Sequence, residues 1–251
     1  MMSDPHKSSP RPLAWAIGGG VLLMVGGVSG WLFETSRSQP TALNDKVAIE
    51  QLVRNYILEH PEILPEAMER LRDRETKKQL AGVADKVEAP FPGAVLGNPQ
   101  GKIIMVEFTD YACTYCRKSV ADVDALIAAN PDLKVVIREL PILSPASTEA
   151  ARMALAAAEQ GRYAAFHKAM FAIGQPNAQT IAAAANAAGI DMDRARRTIA
   201  GPLIDAEIEK NLGFARQLGF DGTPSWVIGD VLTSGAVGQQ ELAKAIADAR
   251  G

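Results

Sequence analysis

The sequence predicts an α/β domain preceded by a hydrophobic span and a short helical segment, and three observations carry that prediction. The apolar run "KIIMVEF", residues 102–108, has strand length and almost no polar break, as expected of a strand covered on both faces. Residues 113–129 then carry Val120, Val123, Leu126 and Ile127 at helical spacing and end at Asn130-Pro131, before a second strand, "LKVVIREL", 133–140. Near the C-terminus "PSWVIGD" and "VLTSGAV" give two short strands, 225–229 and 231–236, joined tightly at Gly229-Asp230 and followed by the helical stretch "QQELAKAIADAR".

Taken in order, residues 1–12 form a polar tail with Lys7 and Arg11, and residues 13–33, "LAWAIGGGVLLMVGGVSGWLF", contain no charge. As a helix that run would span roughly 31 Å, about a bilayer core. Trp15 and Trp31 fall near its two ends, where interfacial aromatics lie. The two basic residues favour a cytoplasmic tail. The expectation is a single-pass anchor in the inner (cytoplasmic) membrane, with the rest of the chain in the periplasm or otherwise outside. A cleaved signal peptide, cut near Val28-Ser29-Gly30, is the alternative. Either way the remaining chain meets an oxidising compartment.

A polar linker, 34–42, leads into a helical segment, 43–86. Val47, Leu52, Val53, Tyr56 and Ile57 lie at helical spacing with Asn44 as a candidate N-cap, and His60-Pro61 breaks the helix. A second helix, starting near Pro61 or Pro65, carries Leu64, Met68 and Leu71 on one face. This segment is too short to bury its own stripes. They need either the main domain or, through residues 43–80, the same segment of other chains in a homo-oligomer. The Pro/Gly-rich stretch 87–102 reads as a boundary, so the main domain is expected over about 90–251. Helical patterns fill about 145–218, where the Ala-rich part is broken by Gly161, Gly174 and Pro176. The net charge is only −3 with no basic block, which argues against nucleic acid as a partner.

Cys113 and Cys116 are the chain's two cysteines, within one helical turn. A structural zinc site wants four Cys/His ligands, and the three histidines are scattered, so no resident metal or cofactor is expected. Two thiolates suffice for Cu(I), which leaves a copper-binding or metallochaperone role open. A purely structural disulfide gains little from so short a loop. The redox reading has a mechanism. A helix starting near residue 113 offers its N-terminal N–H groups and dipole to a Cys113 thiolate, the attacking sulfur. Cys116 lies deeper in the same turn and resolves the mixed disulfide. Glu107 sits inside the apolar strand, where an ionised carboxylate is costly. A raised pKa would let it take and return the Cys116 proton, the alternative being a surface glutamate or a pair with Arg138. Thr223-Pro224 opens a strand, a position suited to a cis proline. His167 reads as a surface or packing residue, Tyr111 and Tyr115 as surface beside the cysteines, and Met153, Met170 and Met192 as core filling.

"EFTDYACTYC", followed far downstream by "GTPSWVIG", resembles the DsbA-like branch of the thioredoxin superfamily over about residues 90–250. The resemblance implies a thioredoxin fold with a helical insertion and a cis-proline loop facing the cysteines. It also places the acid, Glu107, six residues before the first cysteine. "VRNYILEHPEILPEAMERL" further resembles the N-terminal region of the suppressor-of-copper-sensitivity C group, in which such segments can oligomerise the catalytic domains. The implied activity is thiol:disulfide exchange with exported, cysteine-containing proteins, reset by a membrane redox partner. Thr-Tyr between the cysteines, in place of proline-histidine, and Thr223 before the proline point to isomerase or reductase use rather than net oxidation.

Overall fold

The computed structural model describes residues 42–249, with side chains from residue 46 onward. The span 13–33, read as an anchor, lies outside the described residues. Among those residues no helix is long and apolar enough to cross a membrane. The chain divides into two compact units, residues up to Glu66 and Ala67 onward.

In the first unit, α1 (Ala42–Glu59) ends where His60-Pro61 was expected to end it. It begins at Ala42, so Asn44 lies within the helix rather than capping it. Val47, Ile49, Leu52, Val53, Tyr56 and Leu58 are all exposed. The next helix, α2 (Ile63–Leu80), likewise leaves Leu64, Met68 and Leu71 exposed.

The second unit continues with α3 (Ala84–Glu88), β1 (Val95–Gly97), β2 (Ile103–Thr109), α4 (Thr114–Ala129) and β3 (Leu133–Glu139). Five helices follow, α5 (Pro145–Ala158), α6 (Tyr163–Ile173), α7 (Ala178–Ala187), α8 (Met192–Ile199) and α9 (Pro202–Leu218). The hairpin β4 (Ser225–Ile228) and β5 (Val231–Ser234) and then α10 (Gln239–Asp248) close it. The sheet order is β1-β3-β2-β4-β5, with β2 and β3 parallel and the other pairs antiparallel. The expected strand-helix-strand unit is therefore present, and Gly229, at φ +53°, makes the two-residue β4–β5 turn.

Side-chain alternation along β2 sorts the two cores. Met105, with Val135, Ile137, Trp226 and Ile228, packs under α4 and the inserted helices. Val106 and Phe108, with Val136 and Val227, pack against Leu80, Val83 and Val87 and against Phe214 and Leu218 of α9. Residues 80–88, assigned on sequence to the segment before the domain, thus supply one wall of its second core. Arg138 ties them in. Its guanidinium donates to the carbonyls of Lys86 (2.7 Å), Val87 (3.0 and 2.9 Å) and Ala89, and to Glu207 Oε1 (2.7 Å) and Asn211 Oδ1 (3.2 Å). The stretch 87–102, read as a boundary, also holds β1, which pairs with β3 across Val95–Val136. Three residues amid prolines and glycines give no period to read.

Candidate active site

β2 delivers the chain to a tight loop whose geometry is set by Asp110. Its Oδ1 accepts from the Ala112 amide (2.8 Å), an Asx turn, and its Oδ2 accepts from the Ile142 and Leu143 amides (2.9 Å each). The Cys113 amide donates to the Asp110 carbonyl (3.0 Å). Cys113 is thereby held extended, at φ −77° and ψ 119°, as the N-cap of α4. Its Sγ takes the place of a capping oxygen and accepts from the Cys116 amide at 3.3 Å. The thiol also donates to the carbonyl of Thr223 at 3.1 Å. The Thr223-Pro224 peptide is cis, so the expected proline loop does stand against the first cysteine. Both cysteines are free thiols; Cys113 is 5% exposed and Cys116 fully buried.

Glu107 points to the same side of the sheet as Cys116. Its register neighbours are Ile137 on β3 and Trp226 on β4, and it is 3% exposed. That apolar burial pushes its carboxyl up to about 8, with Thr109 acting weakly against the rise. The Cys116 thiol is pushed well above its ordinary range, first by burial and then by the neighbouring Glu107 charge. The alternative of a Glu107–Arg138 pair fails on geometry. Arg138 sits opposite Phe108 in register, on the other face, and its acid is Glu207.

Tyr111, expected at the surface, is instead buried among Phe166, His167 and Phe171. A loop so short cannot turn every side chain outward, and Asp110 is already tied to the 142–143 amides. Tyr115 is exposed as expected, His167 is a packed residue, and Met153 and Met170 fill the core. Burial alone pushes the His167 imidazole down to about 4. Two participants went unread on sequence, Asp110 and Glu139. Glu139 is a fully buried acid at the end of β3 that accepts from the Tyr111 (3.1 Å) and Tyr163 (2.6 Å) hydroxyls. The signal was available, since a carboxylate inside the apolar run "VVIREL" is the same anomaly that exposed Glu107.

A dithiol on the N-terminal turn of the helix after a central strand, faced by a cis-proline loop and backed by a buried acid, defines a thioredoxin-class dithiol protein. The chain belongs to the DSBA-like thioredoxin domain family, which matches residues 104–247. Residues 45–78 match a second family, the copper resistance protein ScsC N-terminal domain. Among solved structures it is similar to a thioredoxin-like oxidoreductase from Silicibacter pomeroyi DSS-3, with 43% identity and TM-score 0.60 over 62% of this chain and 91% of that one. It is also similar to the thiol-disulfide exchange protein alpha-DsbA2 from Wolbachia pipientis, with 30% identity and TM-score 0.65 over 71% and 97% of the two chains. Proteus mirabilis ScsC in a transitional conformation is 25% identical, with TM-score 0.62 over 82% and 97%. Curated relatives are Na(+)/H(+) antiporters NhaA from Salinispora arenicola, 25% identical over 158 residues, and Herminiimonas arsenicoxydans, 27% identical over 136 residues. The alignments cover 62% and 53% of this chain but only 24% and 22% of those antiporters, so the chain spans about a quarter of their length.

Proposed function

We propose that the chain is a thiol:disulfide oxidoreductase of the cell envelope, held by residues 13–33 in the cytoplasmic membrane with its dithiol domain outside. The contact between Cys113 Sγ, at a helix N-cap, and the carbonyl beside the cis proline carries this reading, because it puts the sulfur where an extended client backbone can lie. Four exposed apolar residues support a protein substrate. Tyr115 is in the first turn of α4, Ile142 and Leu143 are bonded through Asp110 to the cysteine loop, and Ile173 ends α6 just before Gln175, whose amide bonds Ala112.

The Cys113 thiolate attacks a client disulfide, forming a mixed disulfide and releasing one client thiolate. Glu107 then takes the Cys116 proton. The Cys116 thiolate attacks Cys113 sulfur, and the client leaves with the electron pair. Two electrons pass from the dithiol to the client. A membrane redox partner returns the resulting disulfide to its working state. Exported proteins with cysteines are the substrates.

Isomerase or reductase use is favoured over net oxidation. The exposed stripe of α1 supports it, because copies joined through residues 43–80 would hold several Cys113 sites around one client. The test is refolding of a scrambled-disulfide protein, with the reduction potential of the Cys113–Cys116 couple measured alongside. The full chain should restore native pairings, and its Leu52→Glu/Tyr56→Glu variant should exchange thiols normally but isomerise several-fold more slowly. Equal isomerisation by the two would remove the case for assembly, and absence of any exchange would remove the enzyme.

A copper-binding reading draws on the ScsC N-terminal match and on two cysteines within one helical turn, the Cys116 amide bonded to Cys113 Sγ. Among the described residues no group of three or more His, Cys, Asp or Glu is placed to hold a metal ion, so Cu(I) would rest on the two sulfurs. Stoichiometric Cu(I) binding by a chain that turns over no disulfide would establish that reading instead.

A further inference from the structure

Glu107 shares its face of the sheet with a second buried carboxyl. Glu139 lies opposite Thr109 in the β2–β3 register, two residues along from the Glu107–Ile137 pair and on the same face. Its Oε1 accepts from both Tyr111 and Tyr163, and the Tyr111 hydroxyl is 3.2 Å from His167 Nδ1. This hydrogen-bonded chain runs either way with the imidazole tautomer. With the proton on Nδ1 it leads inward, from imidazole N–H to phenol oxygen and phenol O–H to carboxyl. With Nδ1 bare it leads outward, from carboxyl O–H to phenol oxygen and phenol O–H to imidazole. Glu139 Oε2 is buried without a hydrogen-bond partner.

The groups acting on Glu139 are Tyr163, Tyr111, Asp110 and Glu107, all acids or phenols, and burial above all pushes its carboxyl up to about 8. A permanent carboxylate would be poorly served there, with half its lone pairs unpaired and no cation among those groups. Glu107 and His167 line one cavity of about 250 Å³ between α4, α6 and β1. Its lining also includes Asp124 and Lys168, an exposed ion pair at 3.6 Å, so the cavity gives the buried groups a route to solvent apart from the cysteine face.

We propose that Glu107 and Glu139 form a two-carboxyl proton store for the dithiol, with Tyr111, Tyr163 and His167 linking Glu139 to the solvent-facing cavity. The proposal rests on the reading of Cys113–Cys116 as an exchanging pair. At about pH 8 the store holds one proton, on Glu139, with Glu107 ionised and its charge holding that proton in place, because two like charges on one apolar face oppose each other. In the resolving step the Cys116 S–H bond breaks and its proton passes to Glu107. The Cys113–Cys116 bond forms, the bond to the client sulfur breaks, and the client leaves as thiolate. The store now holds two protons and releases the one on Glu139 through Tyr111 and His167 to water, so the oxidised chain keeps its proton on Glu107 and both carboxyls change state. Reduction of the disulfide runs the same transfers backwards.

The test is infrared difference spectroscopy between oxidised and reduced full chain across about pH 6 to about pH 10, with thiol exchange assayed on the same samples. Two carboxyl bands should respond to reduction. Glu139→Gln, which keeps an acceptor for both phenols, should remove one band and shift the pH at which the other appears. Glu107→Gln should remove the other band and shift the pH at which the Glu139 band appears, because the coupling is reciprocal. A single responding carboxyl in the unmodified chain would overturn the store, as would a Glu139→Gln spectrum that keeps both bands. Because the unmodified chain alone can decide, a variant that fails to fold does not rescue the idea. Exchange with only one band sinks the store and spares the enzyme; no exchange sinks the reading on which the store rests.

Discussion

At the residue scale the chemistry rests on how differently one turn of helix treats two sulfurs. Cys113 caps the helix against the Thr223 carbonyl, whereas Cys116 is fully buried with its thiol pushed up by burial and by Glu107. An alkylating reagent should therefore label Cys113 and spare Cys116 in the reduced chain, because burial and Glu107 hold the Cys116 thiol protonated and the thiolate is the nucleophile. Mass spectrometry of the labelled peptide checks this, and dominant labelling of Cys116 would reverse the roles. Glu107→Gln should slow the resolving step by about 10²-fold near neutrality, the usual range for a lost general base, and by less as hydroxide replaces it at higher pH. Stopped-flow decay of a mixed disulfide reports that rate. The cysteines, the proline and Glu107 were legible because each breaks a local expectation: two thiols in one turn, a proline opening a strand, a carboxyl in an apolar run. Asp110 was not, because its partners at 142 and 143 lie over thirty positions away and no pattern within the loop points to them.

At the element scale the strands and helices that bury a face announced themselves through period. "KIIMVEF" and "LKVVIREL" became β2 and β3 within one residue at each end. What failed was the junction. Residues 80–88 read as the end of a polar helical segment, yet Leu80, Val83 and Val87 enter the second core, and Arg138 holds the following turn by its carbonyls. Those are tertiary contacts to a basic residue that looks, in sequence, like a strand-end charge. Arg138→Leu should lower unfolding free energy by about 3–5 kcal/mol, since the Lys86, Val87 and Ala89 carbonyls lose their donor and the buried Glu207 keeps only the partly exposed Lys210 as a cation. Adding Glu207→Leu should recover much of the loss, as read by urea denaturation of both variants.

For the whole molecule, buried proton-holding groups tie folding to pH. Glu107 and Glu139 rise from 4.5 to about 8 on folding, so between those values the folded chain binds more protons than the unfolded one, and stability falls as pH rises. His167 falls from 6.5 to about 4, so its contribution is lost as pH drops through that window. The two effects oppose below about pH 6.5, and the acids act alone above it. Unfolding free energy should therefore fall most steeply between about pH 6.5 and about pH 8, by up to about 1.4 kcal/mol per pH unit for each acid. Urea titrations across that range should show the slope, and Glu107→Gln should reduce it. All of this serves one claim, that Cys113 carries electrons to client sulfur and Cys116 completes the transfer. The direct measurement is trapping: full chain with Cys116→Ser, mixed with a disulfide-containing client, then non-reducing electrophoresis and mass spectrometry of the adduct. A covalent adduct through Cys113, dissolved by reductant and absent from Cys113→Ser, is the predicted result. No adduct, or an equal one from Cys113→Ser, would contradict the account.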